Sequence, residues 1–169
     1  MDTNQQVNTG VRVLGPGDGE LAGVPGSRTD RFMIDGADTG GRLSVVEHIL
    51  PSHVLAAGPL HYHSREDEYS YVLEGRLGAL LGDEEVIAQA GDLVFKPRGQ
   101  WHTFWNPGDT PTRVLELITP AGLEELFREL GTPGVELDPA TLPALAARYG
   151  CQVDFPATAT ILQRHGLRF

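Results

Sequence analysis

The sequence predicts an all-β fold: a small antiparallel double-sheet β-barrel over about residues 31–119, with an N-terminal arm over 1–30 and a helical extension over 120–169 packed on the barrel. Three observations carry this expectation. Short apolar runs recur at spacings near ten residues with turn signals between them. The 169 residues include 21 Gly and 12 Pro, a supply of turn-formers suited to many short strands. After Pro120 the hydrophobic period changes from that of a strand to that of a helix.

Residues 1–30 are rich in Gly, Pro, Asn, Asp and Ser and can bury little apolar surface, so they read as an arm. Within it, Val11, Val13 and Leu14 are candidates for an edge strand. Strands are then predicted at 31–34, 43–50, 57–63, 68–75, 77–82, 84–89, 92–97, 101–106 and 112–119. Turn signals such as Asp35-Gly36, Glu74-Gly75, Gly82-Asp83, Gly91-Asp92 and Pro97-Arg98-Gly99 separate them. Beyond Pro120, Leu123, Leu126, Phe127 and Leu130 share one helical face, and Gly131 stops that helix. Asp138-Pro139 reads as an N-cap with Pro at the first helical position, although Pro143 blurs where that helix starts. A last helix is expected over about 157–165.

The charge balance excludes several function classes. Thirteen basic against 23 acidic residues give a net charge of −10, which repels nucleic acid and anionic lipid. No stretch approaches the roughly 18 apolar residues of a spanning helix. The first residues, MDTNQQVNTG, carry no secretion signal, and Cys151 has no second cysteine to pair with, so a reducing cytoplasm is the expected setting. Lys96 is the single lysine among the basic residues, which reads as a compositional habit.

The chemistry concentrates in His61-Tyr62-His63-Ser64-Arg65-Glu66-Asp67-Glu68. On a strand, His61 and His63 point to one side. A turn and an antiparallel return bring Glu68 beside them, and a mixed imidazole–carboxylate set suits a borderline divalent transition metal. A bare His-x-His is more often an incidental pair on a polar strand. A second signature makes the difference: Gly91, Pro97, Gly99, His102 and Asn106 follow, and His102, early on a returning strand, can complete four ligands.

With His61, His63, Glu68 and Gly75, then Gly91, Pro97, Gly99, His102 and Asn106, the chain resembles the cupin superfamily over about 43–119. One departure is Leu55, where the family pattern usually has Gly, which predicts a different entry turn with metal binding kept. The resemblance implies a jelly-roll barrel with His61, His63, Glu68 and His102 facing its interior around one divalent metal ion: Fe, Mn, Ni, Co, Cu or Zn. The stretches EDEYSYVLEG, FKPRGQWHTFWNPGDTP and ITPAGLEELFREL narrow it to single-domain bacterial cupins similar to the quercetin 2,3-dioxygenase group. That resemblance implies an oxygen-using enzyme on a small hydroxylated substrate, with Glu68 either a pure ligand or a ligand that is also the catalytic base. The alternatives are a redox-neutral lyase, isomerase or cyclase, in which the metal only polarises a carbonyl, and a non-catalytic small-molecule binder.

Strand parity assigns the rest. Ser70 and Val72 share a face with Glu68, and Phe104 shares one with His102, so these three are expected to line the substrate pocket. Tyr69, Tyr71, Trp101, Thr103 and Trp105 then face outward. That surface is too apolar to stay wet and calls for cover by the arm, the C-terminal helices or a second subunit, with a homodimer expected. Glu66 and Asp67 read as a solvated turn. Glu116 interrupts an apolar strand and is expected to face outward, since unpaired carboxylates are rarely buried. Parity leaves Glu47 and His48 undecided. Cys151 reads as a small structural hydrophobe.

Overall fold

The computed structural model describes residues 10–23, 26–56, 58–132, 135 and 138–169. Among the described residues, eleven strands and four helices follow in order. They are β1 (Glu20–Gly23), β2 (Thr29–Ile34), the short α1 (Gly36–Thr39), β3 (Ser44–Leu50), β4 (Leu60–His63), β5 (Asp67–Glu74), β6 (Arg76–Leu81), β7 (Glu84–Gln89), β8 (Leu93–Lys96), β9 (His102–Trp105), β10 (Thr112–Thr119), α2 (Glu124–Leu130), α3 (Leu142–Arg148), β11 (Cys151–Asp154) and α4 (Phe155–His165). The expected strands are present with ends moved by a few residues. Residues 1–9 of the arm and Ala57 of the expected strand 57–63 lie outside the described residues.

The strands form a six-stranded sheet, β1-β2-β3-β10-β5-β8, and a five-stranded sheet, β11-β4-β9-β6-β7. Every named pairing is antiparallel. The sheets face each other without closing, which corrects the expected barrel: β8 and β7 end their sheets as edges. Between them lies one apolar core of Leu50, Val72, Leu77, Val94, Phe104 and Val114. At the other end Phe32, Val46, Ile118, Leu123, Leu126 and Phe127 form a second, under the helices.

Two strands escaped the sequence reading. β1 lies in the Gly-rich arm, whereas Val11 and Val13, the candidates for an edge strand, are almost fully exposed. β11 follows α3 and pairs with β4, opposing Cys151 to His63 and Val153 to His61. The third helix starts at Leu142 and not at Pro139. The Asp138 carboxylate accepts the Ala140 N–H and the Thr141 hydroxyl in a turn before it, and Pro143 sits where the first helical turn tolerates a missing N–H.

The outward-facing aromatic residues divide between the sheets. On the five-stranded sheet, α4 covers Trp105, which is 1% exposed, packs with Ile161 and stacks on His165 at 4.6 Å. Gly78 makes this close layer possible, because a Cβ there would stand 2.4 Å from the Trp105 indole. On the six-stranded sheet, Tyr69 stacks on Phe95 at 4.9 Å, and Tyr71, Leu73, Leu93 and Phe95 remain exposed.

Candidate metal centre

The period of two brings the four predicted side chains together. His61 and His63 leave the same face of β4, Glu68 leaves the inner face of β5, and His102 on β9 stands directly opposite His61. All four are buried, and their candidate ligand atoms lie within 4.8 Å of one another. The three imidazoles are 4.5–5.1 Å apart by ring centroid. Glu68 Oε2 is 3.0 Å from His102 Nε2 and 3.4 Å from His63 Nε2.

The outer nitrogens are already committed. His61 Nδ1–H donates to the Pro59 carbonyl at 2.7 Å, and His102 Nδ1–H to the Gln100 carbonyl at 2.9 Å. His63 Nδ1 lies 3.0 Å from Cys151 Sγ. These bonds take up each Nδ1 and turn each Nε2 inward, where a metal would meet it. His63 Nε2 is buried without a hydrogen-bond partner, as expected of a donor set shaped for a cation. The residues present therefore fit a divalent transition metal held by three imidazoles and one carboxylate.

Other motif residues hold this frame. The Asn106 amide donates to the carbonyls of Leu50, Pro51 and Thr110, and its Oδ1 accepts the Gly108 N–H, tying β9 to the loop after β3. The Gly99 N–H donates to the His63 carbonyl, and Gly75 takes φ 78° between β5 and β6.

Inside the fold the structure adds a second charged group that the sequence reading missed. Lys96 stands across from Glu68 on β8, with Nζ 3.1 Å from Glu68 Oε2, 3.1 Å from Glu116 Oε2 and 4.3 Å over the Phe104 ring. Ser70 donates its hydroxyl to Glu116 Oε2 at 2.7 Å. Glu116 therefore faces inward and is fully buried, contrary to the outward expectation, because a lysine and a serine from neighbouring strands receive it. The available signal was parity: Lys96 shares a strand face with the apolar, buried Val94.

The charges follow from this packing. Burial opposes ionisation of Glu68, but Lys96 and His63 hold it well below the usual carboxylate range. Burial raises Glu116; Lys96 opposes the rise, and the charge of neighbouring Glu68 adds to it. Burial opposes the charge on Lys96, yet Glu116 and Glu68 keep it raised. Burial lowers His61 well below its ordinary value, aided by His102 and His63. On His63 the carboxylate and Cys151 outweigh burial and push it up to about 10.

The undecided residues also resolve. His48 faces inward, gives Nδ1–H to Asp30 at 2.7 Å and packs 5.3 Å from the Phe127 ring. Asp30 is paired in turn with Arg28 at 2.7 Å. Glu47 faces the other way, between Arg31 and Arg113. Glu66 is buried, which corrects the solvated turn: the Ser64 N–H donates to the Gly150 carbonyl, seating the 64–66 turn beside the α3–β11 connection. Asp67 is held at the rim by Arg98 at 2.7 Å.

A small cavity of about 20 Å³, room for roughly one water, lies between His61, His63 and Cys151 on one side and Leu126, Phe127 and Leu142 on the other. Ser70, Val72 and Phe104 are all buried but do not line it. Ser70 serves Glu116, Val72 belongs to the apolar core, and Phe104 lies between Lys96 and His48.

The comparisons agree with this geometry. The cupin domain family matches residues 52–118. Tetracenomycin polyketide synthase protein TcmJ of Streptomyces glaucescens is 37% identical over 86 residues, 51% of this chain and 54% of that protein. Quercetin 2,3-dioxygenase of Aspergillus japonicus is 33% identical over 108 residues, 60% of this chain and 30% of that protein. The chain spans only 30–59% of the length of the curated relatives it matches. Among solved structures, KdgF from Halomonas superposes with a TM-score of 0.58 at 17% identity, covering 69% of this chain and 99% of that one, a likeness of fold alone. A sugar phosphate isomerase of the cupin superfamily from Silicibacter pomeroyi gives 0.53 at 26%, covering 64% and 75%. The two signatures, the facing sheets and the inward His–His–Glu–His set agree with the match of residues 52–118 to the cupin domain family.

Proposed function

We propose that this protein is a metal-dependent enzyme of dioxygenase type acting on a small hydroxylated substrate. The observation that carries the proposal is the Glu68 carboxylate, buried among His61, His63 and His102 and held ionised by Lys96. A divalent metal held by those four residues would act as a Lewis acid and, if redox-active, as an electron source for O2. Glu68 has a second oxygen with which to take a substrate hydroxyl proton, and Lys96 balances the negative charge until then. Leu126, Phe127 and Leu142 wall His61 and His63 off from bulk water, and the space of about 20 Å³ they leave there has room for roughly one water. Ser70 and Glu116 support Lys96 from behind.

A redox-neutral reading has one specific observation in its favour: Lys96 and Glu68 already form an acid–base pair without any oxidant. Elemental analysis of the purified protein, followed by oxygen-electrode assays with the native metal restored, tests the proposal. Flavonols and other hydroxylated aromatics are the first substrates to try. Turnover with O2 uptake supports a dioxygenase. Turnover without uptake supports a lyase, isomerase or cyclase, and saturable binding without turnover marks a non-catalytic binder.

A further inference from the structure

The three imidazoles of the centre are oriented by two kinds of partner. His61 and His102 each give Nδ1–H to a main-chain carbonyl two residues earlier, a bond intrinsic to their own strands. His63 instead meets a side chain 88 residues away, Cys151 at the start of β11. The direction of this contact follows from the thiol's other neighbour. Cys151 S–H points to the Tyr149 carbonyl at 3.7 Å, which leaves the sulfur lone pairs for the His63 Nδ1–H at 3.0 Å. Both groups are buried, and both line the small cavity at the centre.

From this contact we infer that Cys151 is the positioning residue of His63. Its sulfur accepts the Nδ1–H, fixes the tautomer with the lone pair on Nε2, and through β11 couples the C-terminal extension to the affinity of the metal centre. The inference rests on the metal-centre reading above. Hydrogen-bond partners of ligand histidines typically alter metal affinity by about 10–100-fold when removed. Of the three here, only Cys151 acts through its own side chain. It is therefore the one such contact that a substitution can remove without disturbing a ligand strand.

Two substitutions separate hydrogen bonding from packing. Cys151→Val keeps a similar apolar volume and removes the acceptor, while Cys151→Ser keeps an acceptor and is the poorer packing match. Competition titrations with Zn2+ and Co2+ against a chelator give the affinities, and the visible spectrum of the Co2+ form reports the ligand field. Thermal melts of the metal-free proteins monitor folding separately. The expected result is a loss of about 10–100-fold in affinity for Val with an altered Co2+ spectrum, and a loss of only a few-fold for Ser. A Val variant within about threefold of wild type, or Ser and Val weakened alike, overturns the inference while leaving the centre standing. A wild-type protein that binds neither ion tightly overturns the centre itself and the inference with it.

Discussion

Lys96 Nζ lies 3.1 Å from Glu116 Oε2, and neither side chain has any measurable exposure. The same ammonium sits 3.1 Å from Glu68 Oε2, so one buried cation serves two carboxylates on two neighbouring strands. A buried pair of this kind is seldom retained for stability alone, since apolar residues of similar volume are often as stable. Removing one partner is different, because the other is then stranded. Lys96→Met is therefore expected to destabilise the metal-free protein by about 3–5 kcal/mol in urea denaturation. Adding Glu116→Gln to Lys96→Met is expected to recover part of that loss. A double variant no more stable than the single would show that the pairing carries no coupling.

Glu68→Gln separates ligand from base. The amide oxygen still coordinates, but the amide takes up no proton at neutral pH. Turnover per bound metal is expected to fall by about 10²–10⁴ if Glu68 is the base. Equal turnover per metal in variant and wild type would reduce Glu68 to a ligand and move the search to Glu116.

His102→Ala removes one of four converging donors, while Glu68 keeps Lys96 at 3.1 Å. Elemental analysis after dialysis is expected to find most of the metal gone. Metal retained at full stoichiometry and unchanged affinity would place the centre elsewhere.

Asp30, which is not among the four candidate ligands, gives a pH-dependent test. Burial opposes its charge, but Arg28 and His48 hold its carboxyl below the ordinary 3.8. A depressed folded value means the contribution is complete above the unfolded value and is lost as pH falls through the folded one. Asp30→Asn is therefore expected to cost about 3–5 kcal/mol near neutral pH, by stranding buried Arg28 and leaving His48 a weaker partner. The gap to wild type should narrow as pH drops below 3.8. A gap that stays constant across that range would remove Asp30 as its source.

The exposed face of the six-stranded sheet is expected to pair with a second copy of this chain. Tyr71, Leu73, Leu93 and Phe95 form an exposed apolar patch, flanked by Arg113 and Glu74, that matches its own two-fold copy. The aromatic residues on β9 take no part, since α4 covers Trp105. Light scattering is expected to give twice 18.3 kDa for wild type and a shift toward monomer for Phe95→Asp. A wild-type monomer at all micromolar concentrations would retire the dimer.

The sequence by itself determined what local period and spacing control. His61 and His63 two apart, Glu68 on the returning strand and His102 after Pro97 and Gly99 converge once the strands pair antiparallel, because side chains on a regular strand alternate between its two faces. Leu123, Leu126, Phe127 and Leu130 marked α2 by the same logic at the helical period. Only the tertiary structure decided which way ambiguous faces turned. Glu116 is buried because Lys96 arrives from β8 and Ser70 from β5, and Glu47 is turned outward to Arg31 and Arg113 while His48 is turned inward to Asp30. Cys151 meets His63 only because β11 adds to the edge of β4, a pairing between segments 88 residues apart. Whether a polar side chain can be buried depends on partners that arrive from distant strands, and no local pattern encodes their arrival.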